Sequence, residues 1–193
     1  MSITYPIKNK ETLNKFKDYY KDVKPDPRNY TMIIMGLNTA FRIGDLLQIK
    51  WQDVVDISQK KFHTHIAMTE QKTGKKRIVA VNTTEQQALS YYLETHTSAE
   101  PADYLFQSKK YKGMPLSRYQ AYRIVKEAAR YVGLEENIGC HSLRKTFGYH
   151  AWQQGTSPVM LMNLYNHSSY QTTKHYLGIE QEEKDNVYLH IEL

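Results

Sequence analysis

His141-Ser142-Leu143-Arg144, followed by Tyr165-Asn166-His167-Ser168-Ser169-Tyr170-Gln171-Thr172-Thr173-Lys174-His175-Tyr176-Leu177-Gly178, is the stretch on which the reading of this chain turns. His141 and Arg144 are three residues apart, so on a helix both project from one face, while Leu143 and Phe147 point into a core. An arginine fork can grip two nonbridging oxygens of one phosphate, and a histidine beside it can hydrogen-bond a third atom or move a proton. A second histidine, His167, stands in a turn containing Ser168 and Ser169, and Tyr176 follows just before Leu177-Gly178. With 16 tyrosines in the chain, Tyr176 is singled out by this order and spacing rather than by its type.

Outward from this stretch, hydrophobic periodicity predicts a mostly helical chain. Leu13, Phe16, Tyr19, Tyr20 and Val23 mark an amphipathic helix over 9–23 that Pro25 and Pro27 stop. A second helix is expected over 28–39, through Tyr30, Ile33, Ile34 and Leu37, and a third over 43–49, with Arg42 in the bend between them. Between Trp51 and Val81 the period changes. The runs 54–57, 63–68 and 77–81 are short, β-branched and partly alternating, which predicts a small three-stranded antiparallel sheet. Gly74 and its polar neighbours in 72–76 suit a hairpin turn. Thr83 with Gln86, and Ser117 with Gln120, read as capping boxes opening two further helices. Four more are expected over 141–154, after Pro158, over 172–176 and over 181–190. The fold class is α+β, helical with one small sheet, and 1–193 reads as a single domain.

Composition narrows the setting. Lys plus Arg number 26 against 20 Asp plus Glu, for a net charge of +6, which suits a polyanion partner and plain solubility equally. No apolar run approaches the ~20 residues that cross a bilayer. The N-terminus lacks the pattern of a signal peptide, and Cys140 is the single cysteine, so a reducing, cytoplasmic location is expected, with no disulfide and no metal or cofactor.

One more stretch completes the pattern: Asn38-Thr39-Ala40-Phe41-Arg42-Ile43-Gly44-Asp45-Leu46-Leu47, an arginine before a helix with an acidic residue three positions on. Together with Lys72 in the hairpin, His141, Arg144, His167 and Tyr176, it resembles the catalytic domain of the tyrosine recombinase, or phage integrase, family over nearly the whole chain. The resemblance implies that Tyr176 is the nucleophile, Arg42 and Arg144 the phosphate clamp, Lys72 the proton donor, and His141 and His167 supporting donors or proton carriers. It implies a site-specific recombinase that cuts and rejoins duplex DNA through a 3′-phosphotyrosine, without metal or ATP.

The partners it implies are duplex DNA and further copies of the chain, a homo-tetramer on paired sites that can be monomeric without DNA. The source would be a bacterium, a phage or a mobile element. Many relatives carry an N-terminal DNA-binding domain, and none is expected here, so an accessory DNA-binding protein could supply that half of the clamp. Asp45 either braces Arg42 or a histidine, or is a plain surface carboxylate. The basic run around Lys72 also fits a turn that only contacts phosphates. Nicking and resealing without strand exchange, and DNA binding without catalysis, are the competing functions.

Overall fold

The computed structural model describes residues 4–134 and 137–191. Helix α1 (Lys10–Asp18) opens where the Asn9 side chain accepts the Thr12 N–H, and it runs on as a π-helical turn, Tyr19–Val23. Helix α2 (Pro27–Asn38) starts on an Asp26 cap with proline at its first position, where the missing N–H costs nothing. It is buried on every side from Arg28 to Leu37, which makes it the central post of the molecule. Even its polar residues are satisfied inside: Thr31 donates to the Ala88 carbonyl at 2.9 Å and Arg28 to that of Gln107 at 2.7 Å. At Gly36 a side chain would meet Leu143 Cδ1 at 2.7 Å, so this glycine sets how closely α2 can lie against the helix carrying His141 and Arg144.

Helix α3 (Ile43–Leu46) is a single turn and stops short of Ile49. Ile49 and Trp51 are drawn away by another segment, their main chains bonding Leu105 at 2.8 Å and Asp103 at 3.0 Å. The expected three-stranded sheet is two two-stranded ladders: β1 (Val55–Asp56) with β2 (Lys61–Phe62), and β3 (His65–Thr69) with β4 (Lys76–Ala80). The middle run changes partner at one bend. His63 N–H still bonds Val54 at 2.9 Å, while the Thr64 carbonyl already accepts from Val81.

Helix α4 (Thr83–Thr95) is capped one residue earlier than expected, by Asn82 and Glu85, whose side chains and amides bond reciprocally at 3.0 and 2.9 Å. Helix α5 (Arg118–Tyr131) has the expected box of Ser117 and Gln120. Then come α6 (Cys140–Gln153), α7 (Pro158–Tyr165), α8 (Tyr170–Leu177) and α9 (Glu180–His190).

Two cores result. The larger joins α1, α2, α4, α5 and β1 to β3, and the smaller gathers Tyr149, Tyr165, Leu177 and Ile179 under α8. Burying a leucine such as Leu177 is worth about 1.5–3 kcal/mol, so this small core is what seats α8 on α6. Gly148 makes room for it, since any side chain there would overlap the Tyr165 hydroxyl and Leu177 Cδ2. Tyr165 uses that gap to donate its hydroxyl to the Arg144 carbonyl at 2.7 Å.

Candidate active site

Arg42 caps α3 with extended backbone, and its Nη1 donates to Glu70 Oε2 at 2.8 Å. Arg144 projects from α6 and is only 4% exposed. Its guanidinium donates to the carbonyls of Ala40 and Tyr165 and lies 4.6 Å from the centre of the Tyr165 ring. Ala40 sits at φ 53, a left-handed conformation that costs an L-residue roughly 1–2 kcal/mol. The strained turn presents its carbonyl to Arg144, so the two arginine motifs are joined through the backbone beside Arg42.

Tyr176, in α8, closes this cluster. Its ring centre lies 5.3 Å from that of Tyr165 and 5.3 Å from that of His167. Burial pushes the Tyr176 phenol above its ordinary value, and the charge of Arg144, a hydrogen bond from it and the charge of Arg42 pull the other way. His167 follows Asn166, whose left-handed backbone (φ 55) ends α7, the role in which asparagine substitutes for glycine. The His167 ring stacks on Tyr165 at 5.5 Å, and its Nδ1 is 3.1 Å from Thr173 Oγ1. Burial and the charges of Arg144 and Arg42 lower its proton affinity.

His141 is exposed at the start of α6, yet partial desolvation and then the charges of Arg144, Lys145, Arg42 and Lys72 affect it in the same direction. Lys72 itself stands exposed on the β3–β4 turn and makes no hydrogen bond or ion pair among the described residues. The turn is anchored by its neighbour Lys75, whose Nζ reaches Asn166 Oδ1 at 2.6 Å.

The model described as Phage integrase family matches residues 8–183. The chain belongs to the phage integrase family. It is 40% identical over 182 residues to the "Probable integrase/recombinase YoeC" of Bacillus subtilis, covering 94% of this chain and 93% of that one. A tyrosine recombinase of Pseudothermotoga lettingae is 29% identical over 81% of this chain, which spans about half (51%) of that relative's length. Among solved structures, XerA recombinase superposes with a TM-score of 0.76 at 21% identity, over 100% of this chain and 66% of the other. XerH in a post-cleavage complex with its difH substrate gives 0.75 at 22% identity, over 94% and 51%.

In this phage integrase Arg144, His167 and Tyr176 gather around the Tyr165 ring, Arg42 is within electrostatic reach of all three and of His141, and Lys72 stands on the tethered turn. Asp45 does not take the bracing role. It is 2% exposed, and its Oδ1 accepts the Gln71 N–H at 2.9 Å, so it holds the hairpin backbone next to Lys72 rather than Arg42 or a histidine.

The carboxylate on Arg42 is Glu70, which the sequence reading missed. Glu70 is 4% exposed and also receives Thr73 at 2.8 Å and Arg77 at 3.3 Å. A signal for it existed. Ile66, Met68 and Glu70 share one face of β3 and its extension by the period-two rule, so a carboxylate on the buried side needed a cation.

Burial alone would raise the Glu70 carboxyl, but the bonds from Thr73, Arg42 and Arg77 outweigh it and hold it below its ordinary value of 4.5. Stability linked to that depressed value is present above pH 4.5 and is lost as pH falls further. Glu70→Gln is therefore expected to lower stability at neutral pH by up to about 3 kcal/mol, the low end for a broken buried pair because Arg42 is partly exposed. It should also flatten the acid limb of a urea-denaturation series, and an unchanged acid limb would show that Glu70 does not carry this linkage.

Proposed function

We propose that this recombinase cleaves and rejoins duplex DNA with Tyr176 as nucleophile, Arg42 and Arg144 as the phosphate clamp and Lys72 as general acid. His141 and His167 serve as hydrogen-bond donors and proton carriers. The observation that carries the reading is the position of Tyr176, partly buried beside the His167 ring and under the field of both arginines.

An ordinary phenol, with a pKa of about 10, is ionised about one time in a thousand at pH 7, so attack needs a proton acceptor. His167 and His141 have lowered proton affinities and are neutral at physiological pH, the state that can take the proton. As the Tyr176 Oη–P bond forms and the P–O5′ bond breaks, charge builds on the nonbridging oxygens. Two fixed guanidinium forks stabilise that charge better than water can. The departing 5′ oxygen takes its proton from Lys72, and attack by a 5′ hydroxyl on the phosphotyrosine reverses the sequence.

Duplex DNA as substrate is supported by the likeness to XerH bound to difH and to a lambda integrase dimer bound to a core site. Assembly as a tetramer on paired sites is supported by α9. Its first turns are tied to their own domain: Ile179 is buried, Glu182 accepts from Tyr149 at 3.0 Å, and Glu183 accepts from Tyr170 at 3.0 Å. Its far end is bare, with Val187, Tyr188, Leu189 and Ile191 all exposed, Tyr188 at 81%.

A groove of about 620 Å³, lined by Leu13, Leu37, Phe147 and Met160 together with polar residues such as Lys17 and His150, is where the tail of a neighbouring protomer would lie. Truncation after Asn186 is expected to leave a folded protein of unchanged melting temperature that no longer assembles on paired DNA sites in sedimentation; a truncated protein that still assembles would remove the tail from the interface. Among the described residues no helix is long and apolar enough to cross a membrane, in keeping with action on DNA in the cytoplasm.

The test of the nucleophile is a duplex nicked beside the scissile phosphate, on which the covalent product accumulates. Digestion and mass spectrometry should place the nucleotide on the peptide containing Tyr176. A nucleotide on any other residue would overturn the assignment.

A further inference from the structure

Lys145 follows Arg144 on α6 and enters the chemistry described above only through its charge near His141. Its ammonium makes two contacts among the described residues. It donates to the Thr4 carbonyl at 2.6 Å, and it lies 4.9 Å from the centre of the Tyr176 ring. Thr4 belongs to an extended strap, residues 4–8, bound across α6. The Tyr5 N–H bonds the Asn137 carbonyl at 2.9 Å, the Ile7 N–H bonds Thr146 Oγ1 at 2.8 Å, and the Ile7 carbonyl meets His150 Nε2 at 3.0 Å. Lys8 then reaches the carbonyl of Gly178, the residue that ends the Tyr176 helix, at 3.4 Å. The strap thus touches the helix that carries Lys145 and the end of the helix that carries the nucleophile.

We infer that Lys145, held in place by the strap through Thr4, is a positioning residue for Tyr176 that fixes its ring and favours the negative charge spreading into the ring as the phenol gives up its proton. This rests on Tyr176 being the nucleophile. The electron-rich face of a phenol attracts a cation, and the attraction grows when the ring becomes a phenolate, because the charge delocalises onto the ring carbons under the ammonium. Partial burial of Lys145 reduces screening by water and strengthens the effect. Arg144 and Lys145 therefore act on different parts of one side chain, the first on the phosphate end and the second on the ring.

The groups facing Tyr176 are Arg144 and Lys145 from α6, Arg42 from the start of α3, Tyr165 from α7 and His167 from the following turn. Of these, only Lys145 is bound to the strap.

The test uses the full chain, single-turnover cleavage, and two nicked duplexes. One has the natural oxygen at the broken bond. The other has a 5′-bridging sulfur, which leaves as a thiolate without needing a proton. Lys145→Met is expected to form adduct roughly tenfold more slowly on both duplexes, with the rise of rate with pH displaced upward, and Lys145→Arg to recover most of the rate.

Rescue of Lys145→Met by sulfur would make Lys145 a donor to the leaving group and overturn the inference. A loss confined to DNA affinity, with the pH profile unmoved, would make it a phosphate contact and overturn it equally. Should Lys145→Met fold poorly, Lys145→Gln and Lys145→Arg, compared at matched folded fraction, read the same displacement. Tyr176→Phe separates the two claims. An adduct persisting there removes the nucleophile itself, whereas no adduct there with Lys145→Met at full rate and an unmoved profile removes only the role of Lys145.

Discussion

Tyr176→Phe is expected to leave no covalent protein–DNA adduct on a nicked duplex, while Tyr165→Phe continues to form one. The substitution removes a single oxygen, and the ring that packs against Tyr165 and His167 stays. Folding and DNA binding should therefore persist, and a melting curve within a few degrees of the parent would show it. Tyr165 is the demanding control because its ring lies in the same cluster. Its hydroxyl is fully buried and committed to the Arg144 carbonyl at 2.7 Å, and burial drives its phenol far above the ordinary range. Such a group cannot attack a phosphate. Its loss should cost about 1 kcal/mol of stability, the net worth of one buried hydrogen bond, and slow cleavage only as far as α6 shifts. A labelled strand on a denaturing gel reads both results, and an adduct with Tyr176→Phe would sink the nucleophile assignment.

The contrast between these two tyrosines shows what was legible in the sequence. His141, Arg144, His167 and Tyr176 were legible through the order and spacing in which they resemble the family pattern, and in the structure Arg144, His167 and Tyr176 lie around the Tyr165 ring, with His141 within the field of Arg144. Helix starts at Ser117 and Ser157 were also legible, since a hydroxyl cap acts within four residues and needs no distant partner.

What escaped depends on contacts far apart in the chain. Helix α3 ends early because Leu105 and Asp103 claim the backbone of Ile49 and Trp51. The sheet divides because His63 and Thr64 bond to opposite sides. Asp45 stands three residues from Arg42 in sequence, yet the carboxylate that reaches Arg42 comes from Glu70, 28 residues on. Lys145 carries no signal in its sequence neighbourhood, because its ammonium is held by a carbonyl 141 residues away and by the Tyr176 ring.

Arg144 should show the largest loss that leaves the nucleophile in place. Of the five N–H donors of a guanidinium, its bonds to Ala40 and Tyr165 commit two and its interaction with the Tyr176 hydroxyl a third, which leaves two for phosphate. The two carbonyls orient the fork before any DNA arrives, so little is lost in arranging it during the reaction. Arg144→Ala is expected to slow single-turnover cleavage by at least ~10²–10³-fold, the usual effect of removing one preorganised donor to a developing oxyanion.

A second effect has a definite sign. Burial raises the Tyr176 phenol and Arg144 heads the groups that oppose it, so without Arg144 the phenol rises further and the increase of rate with pH must move to higher pH. Arg144→Lys separates charge from shape. A lysine keeps the positive charge but cannot reach both carbonyls or grip two oxygens at once, so the pH profile should return toward that of the parent while the rate stays low. If Arg144→Lys instead regained the parental rate, a point charge would be enough at this position, and the preorganised fork would have no catalytic part.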